Sequence, residues 1–306
     1  MSKATREAYG QILAELGIEN KNIVALDADL SKSTKSADFQ KKNPERFFNM
    51  GIAEADMIGT AAGLATCGKI PFASTFAMFA AGRAYEQIRN SVAYPKLNVK
   101  IAASHAGITV GEDGATHQPI EDISLMRGIP NMVVLNPSDD IETRAAVIAA
   151  AEYKGPVYIR LGRMAVPTLH DESYKFEIGK GEILKEGKDV AIIATGIMVS
   201  MALEAAKELE KDGISAAVVN IPTIKPIDSE LIAKLAKEIG KIVTAEEHSV
   251  IGGLGSAVCE VICKSHPAVV KMVGINDTFG QSGKPKDLLK YYELTPEKIA
   301  ETAKSF

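Results

Sequence analysis

The sequence has 306 residues, of which 46% are hydrophobic and 24% charged, and it contains no Trp. This length and balance are typical of two packed globular domains and exclude a disordered or fibrous chain. The 35 basic and 39 acidic residues give a formal net charge of -4, and neither sign forms a long block. We therefore expect small molecules or proteins as partners, with no nucleic acid and no membrane.

The first 16 residues carry apolar side chains at helical spacing and predict an amphipathic helix. These side chains are Tyr9, Ile12, Leu13 and Leu16. The segment lacks the continuous apolar run of a signal peptide, so we expect no export and a cytoplasmic location. The three cysteines, Cys67, Cys259 and Cys263, match neither a metal-binding nor a disulfide spacing, and we expect them to be small core residues.

Short β-branched runs alternate with helical patterns, which predicts parallel sheets covered by helices on both faces. The predicted strands are 23–26, 99–103, 132–135 and 157–161, followed by 190–194, 216–220, 242–245 and 269–273. Pro, His, Gly and charged residues interrupt the pattern between the two sets. The sequence therefore predicts an α/β fold of two three-layer domains, at 1–170 and 189–306, joined by a linker at 171–188.

Residues 47–65, FFNMGIAEADMIGTAAGLA, place Glu54 at the start of a predicted helix. A glutamate in a first helical turn often faces solvent and only interacts with the helix dipole. Here its neighbours are mostly Gly and Ala, which allow close packing. The pattern therefore favours a carboxylate carried into a buried interface.

Residues 74–84, STFAMFAAGRA, place Phe76 and Phe79 three positions apart, on one face of a predicted helix. Residues 104–122, SHAGITVGEDGATHQPIED, hold two of the five histidines, His105 and His117, with Asp113 between them. This loop follows a predicted buried strand, where α/β proteins bind ligands. A zinc site is the weaker alternative because the spacing is irregular, and hydrogen bonding to a polyhydroxylated ligand explains these residues at least as well.

Together these segments resemble the pyrimidine-binding domain of transketolases, in the thiamine-diphosphate superfamily. GEDGATHQPIED is close to the pattern that distinguishes transketolases, and the resemblance extends through ALDADLSKS, NMVVLNPSD, YIRLGR and TAEEHSVIGGLGSAV. The GDG motif with a downstream Asn, through which the family binds Mg²⁺ and the diphosphate, does not occur. The resemblance implies the C-terminal subunit of a split transketolase, which transfers a two-carbon ketol unit from a ketose phosphate to an aldose phosphate.

The resemblance also implies the cofactor and the assembly. Thiamine diphosphate would be shared with an N-terminal subunit that supplies the Mg²⁺ ligands, in a heterotetramer of two plus two chains. Glu54 would hydrogen-bond a ring nitrogen of the aminopyrimidine, as one of the catalytic residues. Phe79 would stack on this ring, Phe76 would form its wall, and Asp29 would lie near the cofactor and the subunit interface.

On the substrate side, the resemblance implies contacts to the sugar hydroxyls from Asp113 and from the catalytic residues His105 and His117. Ser33 and Arg163 match positions that contact the substrate phosphate, for which a guanidinium is well suited. Two positions stay open. Arg160 is either a second substrate contact or an ion-pair partner, and Gly82, where many family members have an aromatic residue, leaves the pocket open or filled by the partner.

Three alternatives compete with this interpretation. The β subunit of a thiamine-dependent 2-oxo acid dehydrogenase has the same two-domain length, but THQPIED preceded by GEDG is similar to transketolases, and Arg163 suits a phosphorylated sugar. A deoxyxylulose-phosphate synthase usually carries the diphosphate domain in the same chain. A noncatalytic scaffold subunit is the third alternative, since a fold alone does not establish an activity, but the retained Glu54 argues against it.

Overall fold

The computed structural model describes residues 2–306. Its strands are β1 (Ser2–Ala4), β2 (Ile23–Asp27), β3 (Phe47–Asn49), β4 (Ile70–Phe76), β5 (Lys100–Ser104), β6 (Val133–Leu135), β7 (Val157–Arg160), β8 (Ala165–Pro167), β9 (Glu182–Lys185), β10 (Val190–Ala194), β11 (Ala216–Asn220), β12 (Thr223–Lys225), β13 (Lys241–Ser249) and β14 (Val269–Ile275). Its helices are α1 (Thr5–Glu19), α2 (Ser31–Thr34), α3 (Ala37–Lys42), α4 (Glu54–Thr66), α5 (Tyr85–Gln87), α6 (Asp122–Arg127), α7 (Asp140–Glu152), α8 (Met198–Lys211), α9 (Ser229–Glu238), α10 (Leu254–Ile262), α11 (Pro285–Tyr291) and α12 (Pro296–Lys304). Two π-helical turns, Phe79–Arg83 and Ile88–Ala93, flank α5, and 3-10 turns occur at Pro44–Arg46 and Ile108–Val110.

The first sheet has seven strands in the order β12-β6-β7-β5-β4-β2-β3, all parallel except β12. Its central strands are buried along their whole length, as expected for a sheet with helices on both faces. The α/β prediction is confirmed. The sequence interpretation missed β4, because Pro71 and the polar pair Ser74 and Thr75 interrupt its apolar run.

The second sheet has five strands in the order β14-β13-β10-β11-β9, and only β9 is antiparallel to its neighbour. Strands β10 and β11 have the predicted bounds. Strand β9 lies within the range expected to be a linker, 171–188, so the second sheet begins inside that range. A small antiparallel pair, β1 with β8, forms a third sheet.

The two halves of the chain share a sheet at one edge. Strand β12 follows β11 of the second domain but pairs with β6 of the first, as an antiparallel edge strand. Lys225 Nζ extends this contact by donating to the carbonyls of Arg127 and Ile129, at 2.9 and 2.6 Å. The domains are therefore tied together by backbone pairing as well as by side chains.

The expectation that the cysteines are core residues is wrong. Cys67 and Cys263 are exposed, and Cys259 is partly buried. Cys67 and Cys263 directly follow the last residues of α4 and α10, and Cys259 lies within α10. Within residues 2–306, no helix combines the length and the hydrophobicity required to cross a membrane.

Candidate active site

The predicted site residues lie where parallel strands of the first sheet end. Asp29 and Ser33 follow β2, Glu54 follows β3, Phe76 and Phe79 lie at and beyond the end of β4, His105 follows β5, and Arg163 follows β7. Ligands of open α/β sheets bind at this carboxyl edge. The topology therefore brings these residues to one edge of the sheet.

Glu54 is the first residue of α4, and only 4% of its side chain is exposed. The N-terminal end of a helix stabilises a negative charge at this position. Arg83 Nη1 lies 3.2 Å from Glu54 Oε1 and 3.4 Å from Oε2, and the Arg83 side chain is half-exposed. The half-exposed Arg83 side chain thus pairs with a carboxylate that is almost fully buried.

The expectation that Phe76 and Phe79 share a helical face is wrong. Phe76 is the last residue of β4, and Phe79 is the first of a π-helical turn, because the chain changes from strand to helix between them. Their rings nevertheless stack, with centroids 5.8 Å apart and an interplanar angle of 17°. The Arg83 guanidinium lies 4.2 Å from the Phe79 ring centroid. Phe79 and Glu54 therefore offer an aromatic face and a carboxylate to a flat, nitrogen-containing ring.

His105 connects this pocket to the loop that follows β5. Its ring stacks on Phe76 at 3.8 Å between centroids, and the residue is 3% exposed. Burial, with the charges of Arg6 and Arg163 nearby, lowers the pKa of His105 to about 3. Arg6 can only donate, so His105 Nε2 accepts from it at 3.1 Å, and Nδ1-H donates to Ser104 Oγ at 2.9 Å. His105 is therefore a neutral imidazole of defined tautomer.

His117 and Asp113 occupy the outer part of the same loop. The His117 ring meets Phe79 edge-on, with centroids 5.3 Å apart, and its Nδ1 is 2.9 Å from Thr116 Oγ1. The side chain of Asp113 is exposed. The structure thus brings His117 against the aromatic pair, while the Asp113 side chain is exposed to solvent.

Sequence reasoning missed a basic residue of the site, Arg6. Its Nη1 donates to the carbonyl of Ser33 at 2.9 Å as well as to His105, and its Nε is buried without a hydrogen-bond partner. Burial lowers the pKa of Arg6, and the charge of Arg163 lowers it further. Two guanidinium groups thus lie close enough to repel each other, as in sites that bind an anion.

The position of Arg6 within its helix is a local signal of function. Arg6 lies in the first turn of α1, where the helix dipole disfavours a cation. Arg163, on the other side, donates from Nη1 to the carbonyl of Val110 and lies 3.1 Å from Glu112 Oε2. Both arginines are thus held at the edge of the loop that carries His105.

Asp29 is exposed, in a left-handed backbone conformation with φ of 61°, and bonds only to Asn49 among the described residues. Its neighbour Asp27 was not predicted and is fully buried. Asp27 accepts from Thr34 Oγ1 at 2.7 Å and from Ser36 Oγ at 2.8 Å, while burial raises its pKa. Asp27 therefore fixes the turn that carries Asp29 and Ser33.

The two open positions have structural explanations. Arg160 is buried, with Nε 2.9 Å from Asp122 Oδ2 and Nη2 donating to the carbonyl of Glu247 at 2.9 Å. It is an ion-pair partner that joins the two domains. At Gly82, an added Cβ would lie 2.9 Å from Met78 Cε, so Met78 covers part of the space that a larger residue would fill.

Comparison with known proteins gives a consistent answer over both domains. Residues 1–168 match the transketolase pyrimidine-binding domain, and residues 179–299 match the transketolase C-terminal domain. A putative transketolase C-terminal section from Methanocaldococcus jannaschii is 58% identical over 301 residues, which is 97% of this chain and 94% of that protein. A 6-deoxy-6-sulfo-D-fructose transketolase subunit from Clostridium sp. (strain MSTE9) is 45% identical over 298 residues, covering 97% and 92%.

A solved structure described as a split gene transketolase, inactive beta4 tetramer, superposes with a TM-score of 0.93 and 60% sequence identity. The match covers 99% of this chain and 98% of that one. The resemblance inferred from GEDGATHQPIED and the neighbouring motifs is confirmed. This chain belongs to the transketolase family, of which it carries the pyrimidine-binding and C-terminal domains.

Proposed function

We propose that this chain is the C-terminal subunit of a split transketolase, and that it transfers a two-carbon ketol unit from a ketose phosphate to an aldose phosphate. An N-terminal subunit binds the cofactor diphosphate in this assembly. The observation that carries the proposal is the arrangement of Arg6 and Arg163 beside the neutral His105, next to the pocket of Glu54 and Phe79.

Thiamine diphosphate, when bound, supplies the nucleophilic carbon and the electron sink for breaking a carbon-carbon bond beside a carbonyl. The residues present fit its aminopyrimidine. Glu54 would hold the ring by a hydrogen bond in which one proton is shared between its carboxyl group and a ring nitrogen, and the Phe79 face would orient the ring. Residues 2–306 contain no group of three or more His, Cys, Asp or Glu side chains placed to hold a metal. The GDG motif with a downstream Asn does not occur in the sequence, so we assign the Mg²⁺ and diphosphate ligands to the partner subunit.

The anionic end of the substrate binds to Arg6 and Arg163. The buried Nε of Arg6 lacks an acceptor, and a phosphate oxygen would supply one. Ser33 lies on the same side, because its carbonyl already accepts from Arg6. The Clostridium relative is named for a sulfonated sugar, so a sulfonate is the alternative anion to test.

The sugar hydroxyls bind to the loop after β5. As a neutral imidazole, His105 has one lone pair, at Nε2, which accepts from Arg6 at 3.1 Å here, so a substrate hydroxyl would donate to Nε2 in place of Arg6. His117, edge-on to Phe79, and the exposed Asp113 contact the hydroxyls further from the cofactor.

One assay tests the function. The chain is mixed with a candidate N-terminal subunit, Mg²⁺, thiamine diphosphate, xylulose phosphate and ribose phosphate, and two-carbon transfer is measured. Ketol transfer by the mixture is the expected result. A 2-oxo acid dehydrogenase subunit or a scaffold subunit gives none, and failure of transfer with several sugar and sulfosugar donors would reject the proposal.

A further inference from the structure

The backbone from His105 to Gln118, named here the substrate loop, does more than carry three of the proposed substrate residues. It also supplies both acceptors of Arg163, the carbonyl of Val110 and the carboxylate of Glu112. The direction in which the Arg163 guanidinium points therefore depends on the position of this loop.

The second domain contacts this loop through Glu247. Glu247 lies on β13 and is 3% exposed, and its Oε1 accepts from the backbone N-H of Thr109 at 2.7 Å. Gly107 packs directly on the carboxylate, because a Cβ at this position would lie 2.3 Å from Glu247 Cδ. The φ of +79° at Gly107 also requires glycine. The carboxylate thus holds the backbone one residue before Val110.

Burying the Glu247 carboxylate costs free energy, which a purely structural contact would not require. Burial raises its pKa to about 7, and the Arg160 guanidinium only partly offsets this. The Glu247 carbonyl accepts from Arg160, which pairs with Asp122, so the strand is already tied to the first domain without the side chain. A buried carboxyl that the domain contact does not need points to a role in fixing the loop.

Two contacts from the segment before α11 reach the outer part of the loop. Gln118 Nε2 donates to the carbonyl of Gln281 at 3.0 Å, and Ser282 Oγ donates to the carbonyl of Glu112 at 2.7 Å. Gln281 and Ser282 are exposed, whereas the hydrogen bond between Thr109 and Glu247 is buried. Glu247 is therefore the contact that water competes with least.

We propose that Glu247 is a positioning residue of the second domain, which fixes the substrate loop through Thr109 so that Val110 and Glu112 orient Arg163 toward the anionic end of the substrate. The inference rests on the proposed function, because it takes Arg163 as the anion ligand. It gives the second domain an indirect part in substrate recognition, through the substrate loop.

The test compares variants of Glu247 in the chain assembled with its partner subunit. Glu247→Ala is expected to raise KM for a phosphorylated donor about tenfold, with kcat within about twofold and little effect on an unphosphorylated analogue. Glu247→Gln keeps an oxygen acceptor for Thr109 and is expected to recover most of the affinity. The matched control is Glu246→Ala, since Glu246 is also fully buried but accepts only from Leu254 and Gly255 of its own domain.

Amide hydrogen exchange of residues 107–112 is measured on the same complexes, because it reports loop position without turnover. Faster exchange in Glu247→Ala than in Glu246→Ala, together with the KM pattern, supports the inference. Unchanged exchange overturns it, as does an equal loss of both donors or the same KM increase in Glu246→Ala. A wild-type complex without turnover rejects the proposed function, and exchange then decides alone whether Glu247 holds the loop.

Discussion

Arg83 and Glu54 form an ion pair at the mouth of the proposed cofactor pocket, with Nη1 3.2 Å from the carboxylate. The same guanidinium lies over the Phe79 ring. The aminopyrimidine of the cofactor is proposed to hydrogen-bond to Glu54 and to stack on Phe79. It would then compete with the Arg83 guanidinium, which occupies this position here.

Replacing Arg83 by Ala is expected to tighten cofactor binding in the assembled complex. Arg83 is half-exposed although Glu54 is buried, so its ion pair and cation-π contact are together worth about 0.5 to 1 kcal/mol, or about two- to fivefold in Kd. Calorimetric titration of thiamine diphosphate with Mg²⁺ measures it. Arg89→Ala, a surface arginine of the same segment, is the control. Weaker binding in Arg83→Ala would show that Arg83 is itself a cofactor ligand.

Glu54→Gln is expected to remove most ketol transfer while leaving the fold intact. The amide cannot supply or share the proton that the pyrimidine requires, and loss of general acid-base catalysis typically costs about 10²- to 10⁴-fold. Turnover at saturating cofactor is measured together with thermal unfolding. Asp56→Asn changes an exposed carboxylate in the same helical turn and serves as control. Near-normal turnover in Glu54→Gln would reject the assignment.

Arg163→Ala and Arg6→Ala are each expected to weaken phosphorylated donors by about 2 to 3 kcal/mol, because charge-assisted bonds to the phosphate disappear. The ratio of kcat/KM for a phosphorylated donor and its unphosphorylated analogue measures the effect. Lys284→Ala, an exposed cation of the second domain, controls for general electrostatics. An equal loss of kcat/KM for both donors would show that neither arginine binds the phosphate.

The sequence predicts most strands of both sheets and the edge on which the site lies. Local patterns suffice for β10 and β11, whose apolar runs are buried on both faces. They fail for β4, the strand that ends at Phe76, because it contains Pro and polar residues. The Phe76 and Phe79 rings still stack, since ring contact depends on tertiary position rather than on helical spacing.

Residues that act through contacts distant in the sequence were the least predictable. Arg6 is far in sequence from His105, and Glu247 is far from Thr109, so no local pattern links them. The pairing of β12 with β6 of the first sheet also joins segments that are far apart in the sequence. A motif such as TAEEHSVIGG indicates the family, but which of its glutamates faces the substrate loop depends on the packing of the two domains.

A buried cluster around His170 lies where the first domain passes into the second, and it gives a prediction about the pH dependence of stability. His170 Nδ1 is 2.8 Å from Asp139 Oδ2, and Nε2 is 3.0 Å from Glu182 Oε2. Burial alone would lower the pKa of His170, but the bond to Asp139 and the charges of Glu142 and Glu182 raise it to about 9. The stabilisation is complete below the unfolded pKa near 6.5 and is lost as pH rises through about 9.

His170→Gln is therefore expected to destabilise the chain by about 1 to 3 kcal/mol at pH 6 to 7, with the difference from wild type shrinking toward pH 10. Urea unfolding across this pH range measures it. His266→Gln, a substitution of an exposed histidine, is expected to have no such effect. A pH-independent difference would show that packing of His170 on Tyr174, rather than its charge, stabilises this junction.

The last prediction concerns assembly: the chain alone is expected to be inactive and to bind thiamine diphosphate weakly or not at all. Glu54 and Phe79 are proposed to bind the pyrimidine, but the GDG motif with a downstream Asn, proposed to bind the Mg²⁺ diphosphate, does not occur in the sequence. Two chains with two partners would close the assembly symmetrically. The solved relative described as an inactive tetramer of β chains supports this expectation.

Calorimetric titration of cofactor and Mg²⁺ into the isolated chain and into the reconstituted complex tests it. Binding that occurs only in the complex is also expected to raise the melting temperature of the complex with cofactor concentration, because a ligand of the assembled state stabilises that state by mass action. The Glu54→Gln complex is the matched control, in which the partner's diphosphate site is intact. Tight binding or ketol transfer by the isolated chain would overturn the split-enzyme proposal, because one chain would then hold both halves of the cofactor.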